Sequence, residues 1–109
     1  MSLFNRRRFF ECHDVLEVVW LATPGPIRTA YQGLIQAAIA YHHWSHDNPG
    51  GAMSLYRSSR RHLAPFAPTA LGLDLAAFLR GHDACFSRDP LGAYHPRAVP
   101  VLQWLADER

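Results

Sequence analysis

The chain has 109 residues, of which 49% are hydrophobic and 18% charged, so it can bury one modest core and is too apolar to be intrinsically disordered. Its formal charge of +2 comes with eleven Arg and no Lys, and neither Arg6–Arg8 nor the Arg57, Arg60 and Arg61 group forms the sustained basic face of a nucleic-acid-binding protein. No segment approaches the ~20 apolar residues of a membrane helix, no secretory signal is visible, and neither cysteine belongs to a C-x-x-C pair. We therefore expect a cytoplasmic protein with free thiols and no membrane partner.

The first two predicted helices are separated by a Thr-Pro-Gly-Pro break. Helical periodicity dominates the chain and no alternating apolar pattern indicates a strand, which predicts an all-α fold. The first helix should cover about 2–21, with Ser2 or Asn5 as its N-cap. The second should cover about 26–46, where Gly33 costs about 1 kcal/mol unless another helix approaches closely.

The second half of the chain predicts shorter elements. A third helix should cover about 51–64 and a fourth about 74–86, capped by the aspartate that begins it. Residues 87–100, rich in Pro and Gly, should form an irregular tail, and a short last helix should cover about 101–107. Together the elements predict one domain over 1–109, a small antiparallel helical bundle of three long and one or two short helices.

Polar residues interrupt the apolar stretch FFECHDVLEVVW of the first helix. His13 and Glu17 are four residues apart, so they lie ~40° apart on one helix face, and apolar neighbours including Trp20 share that face. A half-buried polar pair needs a partner for each group. The pair can supply two ligands of a divalent metal such as zinc, act as a general base with its orienting carboxylate, or serve only to fix packing.

Histidines on the second and third helices are candidates for further ligands of a metal bound by this pair. A hairpin of the first two helices puts His13 level with about residue 35, and His42 and His46 then lie ~10 Å farther along the second helix, too far for metal–nitrogen bonds of ~2.1 Å. Folding the third helix back puts His62 near the height of His13, which makes it a weak third-ligand candidate. The expected supporting residues on the second helix are Tyr31, Gln32 and Gln36.

Three segments of the sequence, ECHDVLEVVW, GLIQAAIAYHH and DNPGGAMSLY, resemble the bacterial and archaeal family catalogued as domain of unknown function 309. The family's hallmark, His-x-x-x-Glu-x-x-Trp, is matched at His13, Glu17 and Trp20. The resemblance runs over about 9–63 and, more loosely, to the GLDL at 72–75. It implies a prokaryotic helical bundle and a metal role for the His–Glu pair, with the tryptophan in packing, but no established reaction.

Two classes of function follow from these observations. The first is a protein that binds metal through His13 and Glu17, in its strongest form a metal-dependent hydrolase. The second is a non-catalytic helical module that binds a partner or forms a homodimer, with Tyr41 and Trp44 at the interface. Serine, cysteine and phosphate chemistries lack their motifs, and Cys12 points ~100° away from the histidine beside it. Whether the protein is an enzyme stays open.

Overall fold

Helices form most of the structure, a computed structural model that describes residues 2–88 and 90–105. The α-helices, in chain order, are α1 (Ser2–Asn5), α2 (Phe9–Ala22), α3 (Arg28–Ser45), α4 (Pro49–Leu63) and α5 (Leu75–Cys85). The remaining regular elements are an antiparallel pair of two-residue strands and two single 3-10 turns: β1 (Thr69–Ala70), β2 (Leu73–Asp74), Ala64–Phe66 and Pro96–Ala98. The predicted all-α fold class is confirmed, and none of the described helices is both long and apolar enough to cross a membrane.

The first predicted helix is wrong in one respect, because α1 and α2 replace it. Arg7 has φ of +65°, a left-handed conformation that a helix cannot include. Its guanidinium donates to the carbonyls of Pro96 and Val99, both at 2.8 Å, and the Asn5 side chain forms two hydrogen bonds with the backbone of Leu102. Contacts from the far end of the chain therefore override a continuous helical pattern.

A glycine sets the contact between α3 and α4. A Cβ on Gly33 would lie 2.6 Å from Cγ of Leu63, so the expected close approach of another helix is confirmed. Helix α4 begins two residues earlier than predicted. The Asn48 side chain accepts from the Gly51 N–H at 3.0 Å, and Pro49 occupies the first turn. Asn48 and Pro49, which lie between the second and third predicted helices, are thus the cap and the first residue of α4.

The core is filled by side chains from the helices, the hairpin and the tail. Tyr41 is fully buried and Trp44 is 9% exposed, with its indole N–H donating to the Gly92 carbonyl at 2.9 Å. The expectation that these two aromatics supply an interface is therefore wrong. The largest fully buried apolar side chains are Phe4, Leu34, Tyr41, Leu63, Leu73, Leu75, Phe78 and Leu102.

The predicted last helix is wrong over the residues that the structure describes. Residues 101–103 form no helix, and Trp104 forms an antiparallel bridge with Leu73. The Asp74 N–H also donates to the Gln103 carbonyl at 2.9 Å, so this segment pairs with the edge of the hairpin. Residues 106 and 107 of the predicted helix lie outside the described part of the chain.

Candidate functional site

His13 and Glu17 lie together on α2, beside its contact with α3. Nε2 of His13 is 3.0 Å from Oε2 of Glu17, and the two side chains are 22% and 51% exposed. Nδ1 of His13 is 3.3 Å from Oδ1 of Asp14 but forms no hydrogen bond with the residues described. The pair is therefore half-exposed at the rim of the bundle and is not enclosed in its core.

A shallow cleft of about 200 Å³ adjoins this pair. It is open to solvent, and its walls come from α2 and α3. Tyr31 packs against the core and is not part of the cleft, unlike the two glutamines that sequence reasoning placed at the same level. The lining residues are Glu17, Trp20, Gln32, Ile35 and Gln36.

His62 lies on α4 and contacts Gln36 of α3, which also lines the cleft. Its Nδ1 is 2.7 Å from Oε1 of Gln36, so the ring N–H donates to the amide oxygen. Within residues 2–88 and 90–105, no three His, Cys, Asp or Glu side chains converge as a zinc site would require. His13 also has its Nε2 engaged with Glu17, which leaves a poor donor set for zinc.

Trp20 stabilises the connection between α2 and α3. The guanidinium carbon of Arg28 lies 3.9 Å from the centre of the indole ring, a cation–π contact. Nε of Arg28 also donates to the Trp20 carbonyl at 3.0 Å, near the end of α2. The tryptophan therefore joins the first residue of α3 to the end of the preceding helix, and it also forms one wall of the cleft.

His82 on α5 is a polar core residue that sequence reasoning missed. It is 0% exposed, with Nδ1 at 2.8 Å from the Tyr41 hydroxyl and Nε2 at 2.8 Å from Oγ of Ser59. The Ser59 hydroxyl donates to the Tyr56 carbonyl, so it must accept from Nε2–H of the histidine. Nδ1 then accepts from the tyrosine hydroxyl, and both ring nitrogens of a neutral imidazole are satisfied.

Burial dominates the electrostatics of this cluster. It lowers the pKa of His82 to about 3 and raises the pKa of Tyr41 well above its usual range. Ser59 and His82 are both fully buried, so no substrate reaches this serine–histidine contact. The sequence feature that indicates a buried His82 is its spacing: it lies four residues after Phe78, on the buried stripe of α5.

The solvent-facing side of α2 carries an unusual mixture of residues. The helix holds three acidic residues and no Lys or Arg, although the whole chain has a formal charge of +2. Large apolar side chains on the same side are more than half exposed: Phe10 at 53%, Val15 at 54%, Val18 at 68% and Leu21 at 65%. This helix therefore has one apolar face in the core and a second set of apolar side chains that faces solvent.

Histidines cluster at the C-terminal end of α3. The ring centroids of His42 and His46 are 4.2 Å apart, and that of His43 is 6.2 Å from His42. The pKa of His42 is lowered, first by burial and then by the neighbouring histidines. The Phe10 ring contacts both His42, at 5.3 Å, and His13, at 5.7 Å, so a phenyl ring links this cluster to the pair on α2.

Comparison with known proteins places these features in a family. Residues 1–55 match the family described as "Domain of unknown function (DUF309)". The chain belongs to the DUF309 family. The match contains the whole His-x-x-x-Glu-x-x-Trp motif and ends within α4, so it confirms the resemblance while beginning and ending earlier than the predicted 9–63.

Two bacterial proteins are similar to this DUF309 chain over most of its length. The uncharacterized protein YpuF of Bacillus subtilis (strain 168) is 33% identical over 99 residues, which covers 87% of this chain and 57% of YpuF. An uncharacterized protein of Aquifex aeolicus (strain VF5) is 32% identical over 102 residues, covering 93% of this chain and 29% of that protein. The chain thus spans little more than half of one relative and under a third of the other. No solved structure is significantly similar.

Proposed function

We propose that this DUF309 chain is a non-catalytic module that binds a partner protein through the outer face of α2. The α2 face consists of Phe10, Asp14, Glu17, Val18 and Leu21, which fall within roughly 100° of arc on the helix. The observation that carries the proposal is the exposure of its three apolar members, each more than half accessible. Single exposed apolar residues are common, whereas a contiguous stripe of them is typical of an interaction surface.

The charge of the α2 face defines the chemistry of its partner. Arg8 forms a two-pronged ion pair with Glu11, with Nη2 at 2.8 Å from Oε2, which leaves Asp14 and Glu17 as carboxylates on the face. An amphipathic helix whose apolar residues alternate with Lys or Arg would complement both properties of this face. A second α2 face would instead oppose like charges, so we assign the occupant to a basic partner helix.

The His13–Glu17 pair has a supporting role in this proposal. Nε2 of His13 lies 3.0 Å from Oε2 of Glu17, and this contact places Glu17 at the boundary between the α2 face and the cleft. Zinc binding and hydrolysis have weaker support, because His13 has one nitrogen engaged and the described residues offer no third converging ligand. His82, which contacts the Tyr41 and Ser59 hydroxyls, is fully buried and so offers no accessible site for hydrolysis.

A peptide-binding experiment tests the proposal. The probe is a synthetic amphipathic helix of Leu and Lys, with a Leu and Glu peptide of the same pattern as the charge control. NMR shift mapping should place the basic peptide on the α2 face, and Val18→Ser with Leu21→Ser should weaken binding at least about tenfold. Val101→Ser, which alters an exposed valine outside α2, is the matched control and should bind normally.

Two results would overturn this assignment. The first is shifts confined to residues outside α2, or equal binding of the basic and acidic peptides. The second is a homodimer in light scattering that Val18→Ser disperses and Val101→Ser does not, since this would assign the α2 face to a second copy of the chain.

A further inference from the structure

His42 lies in the last turn of α3, and His46 follows one turn later, directly after the end of the helix. Their ring centroids are 4.2 Å apart. Two imidazoles bound at right angles to one ion, with bonds of ~2.1 Å, have ring centroids about 4.5 Å apart. The observed spacing is therefore close to that of two neighbouring ligands in a tetragonal metal site. It is shorter than a tetrahedral ion would set, because a wider angle at the metal separates the rings further.

The hydrogen bonds of His46 leave the correct nitrogen free. Its Nδ1 lies 2.9 Å from the His42 carbonyl and 3.0 Å from Oγ of Ser45. The Ser45 hydroxyl itself donates to that carbonyl at 2.8 Å, so both neighbours of Nδ1 act as acceptors and Nδ1 carries the proton. Nε2 then carries no proton, so its lone pair can bind a metal ion. The ring is oriented by the Nδ1–H···O=C contact that is common in metal-binding histidines.

The surroundings of this pair also favour a cation. The two histidines are at the C-terminal end of an 18-residue helix, where the carbonyl groups give a partial negative charge. His46 is exposed, so an ion can reach it with its own water ligands. His43 has its Nδ1 3.3 Å from the Asn48 amide and points about 100° away from His42, which leaves it outside the pair.

We infer that His42 and His46 form a surface site for a divalent transition-metal ion of tetragonal preference, with Cu²⁺ bound more tightly than Ni²⁺ or Zn²⁺. The two imidazoles are the protein ligands, and water fills the other positions. Copper is the strongest binder of nitrogen ligands in the divalent series and prefers tetragonal geometry. This site is separate from the His13–Glu17 pair of the DUF309 motif, and it does not depend on the proposed partner binding.

Copper titration of the tag-free, chelator-treated full chain tests the inference. We expect one Cu²⁺ per chain by calorimetry, with an electron paramagnetic resonance spectrum of two nitrogen ligands. His46→Ala, at an exposed position beyond the end of α3, should weaken binding at least about tenfold because the chelate is lost, and His42→Gln should do the same. Circular dichroism establishes that each variant is folded.

His95→Ala and His13→Ala are the matched controls, and both should bind copper as the unchanged chain does. Two results would overturn the inference. The first is that His46→Ala binds copper as tightly as the unchanged chain, and the second is that His13→Ala is the variant that loses binding. Zinc titrated in the same way should bind more weakly, and a tighter zinc complex would contradict the tetragonal geometry.

Discussion

His82 and His13 occupy opposite environments in one small bundle. His82 is 0% exposed and has both ring nitrogens hydrogen-bonded, to Tyr41 and Ser59. His13 is 22% exposed, and its Nε2 lies 3.0 Å from the carboxylate of Glu17, which is half in solvent. The first arrangement stabilises the native state and cannot meet a ligand, whereas the second contributes little stability and is accessible. The motif that defines the family belongs to the accessible one.

Removing the imidazole of His82 should produce the largest effect. His82→Ala creates a cavity and leaves the Tyr41 and Ser59 hydroxyls without their buried partner, so we expect a loss of about 3–5 kcal/mol in the free energy of unfolding. His13→Ala is the matched control and should cost about 1 kcal/mol or less, since exposed pairs contribute little. Urea denaturation measures both. Equal losses in the two variants would remove the distinction between the two histidines.

The pH dependence of stability should separate the same two residues. Burial lowers the pKa of His82 to about 3, so between pH 6.5 and 3 the unfolded chain binds a proton that the native chain does not. Native stability should therefore fall as the pH drops through this window, by up to about 1.4 kcal/mol per pH unit. Urea melts at pH 7, 6, 5 and 4 should show this slope, and His82→Gln should reduce it more than His13→Gln does. An unchanged slope in His82→Gln would mean that other groups cause it.

A single hydroxyl probes the hydrogen bonding of His82 without opening a cavity. Tyr41→Phe keeps the ring, which packs against Phe4 with centroids 5.9 Å apart, and removes only the donor to Nδ1. We expect a loss of about 1–2 kcal/mol in the free energy of unfolding, the cost of one unsatisfied buried acceptor. Tyr31→Phe, at a half-buried tyrosine on the same helix, is the control and should be near neutral. A neutral Tyr41→Phe would show that this bond adds no net stability.

The helices of the fold were largely predictable because local signals set them. The spacing of apolar residues located α3 and α4, and Asp74 caps α5 as predicted, accepting from the Ala77 N–H at 3.0 Å. The break at Arg7 and the pairing of Trp104 with the hairpin were not predictable. Both depend on contacts between residues far apart in the sequence, and no short-range pattern encodes such contacts.

Only those parts of the site that follow from helical geometry, the neighbours on one helix and the residues level with them on the next, were predictable. Spacing of four residues correctly made His13 and Glu17 neighbours, and hairpin arithmetic put Gln32 and Gln36 beside Glu17. It could not identify His82 as a core residue, because its partners lie on α3 and α4, far away in the sequence. The available signal was a histidine at an apolar position of the predicted helix.

The smallest predicted effect concerns the DUF309 motif itself. Glu17→Gln keeps the size of the side chain and removes the negative charge 3.0 Å from Nε2 of His13, so we expect a change in the free energy of unfolding within about 0.5 kcal/mol. The same change should weaken binding of a basic peptide to the α2 face, because one of the two carboxylates on that face is lost. Glu11→Gln is the control for charge, since Glu11 is already paired with Arg8. If Glu17→Gln costs as much stability as Tyr41→Phe, the motif is part of the structural framework and the proposed division between the two histidines fails.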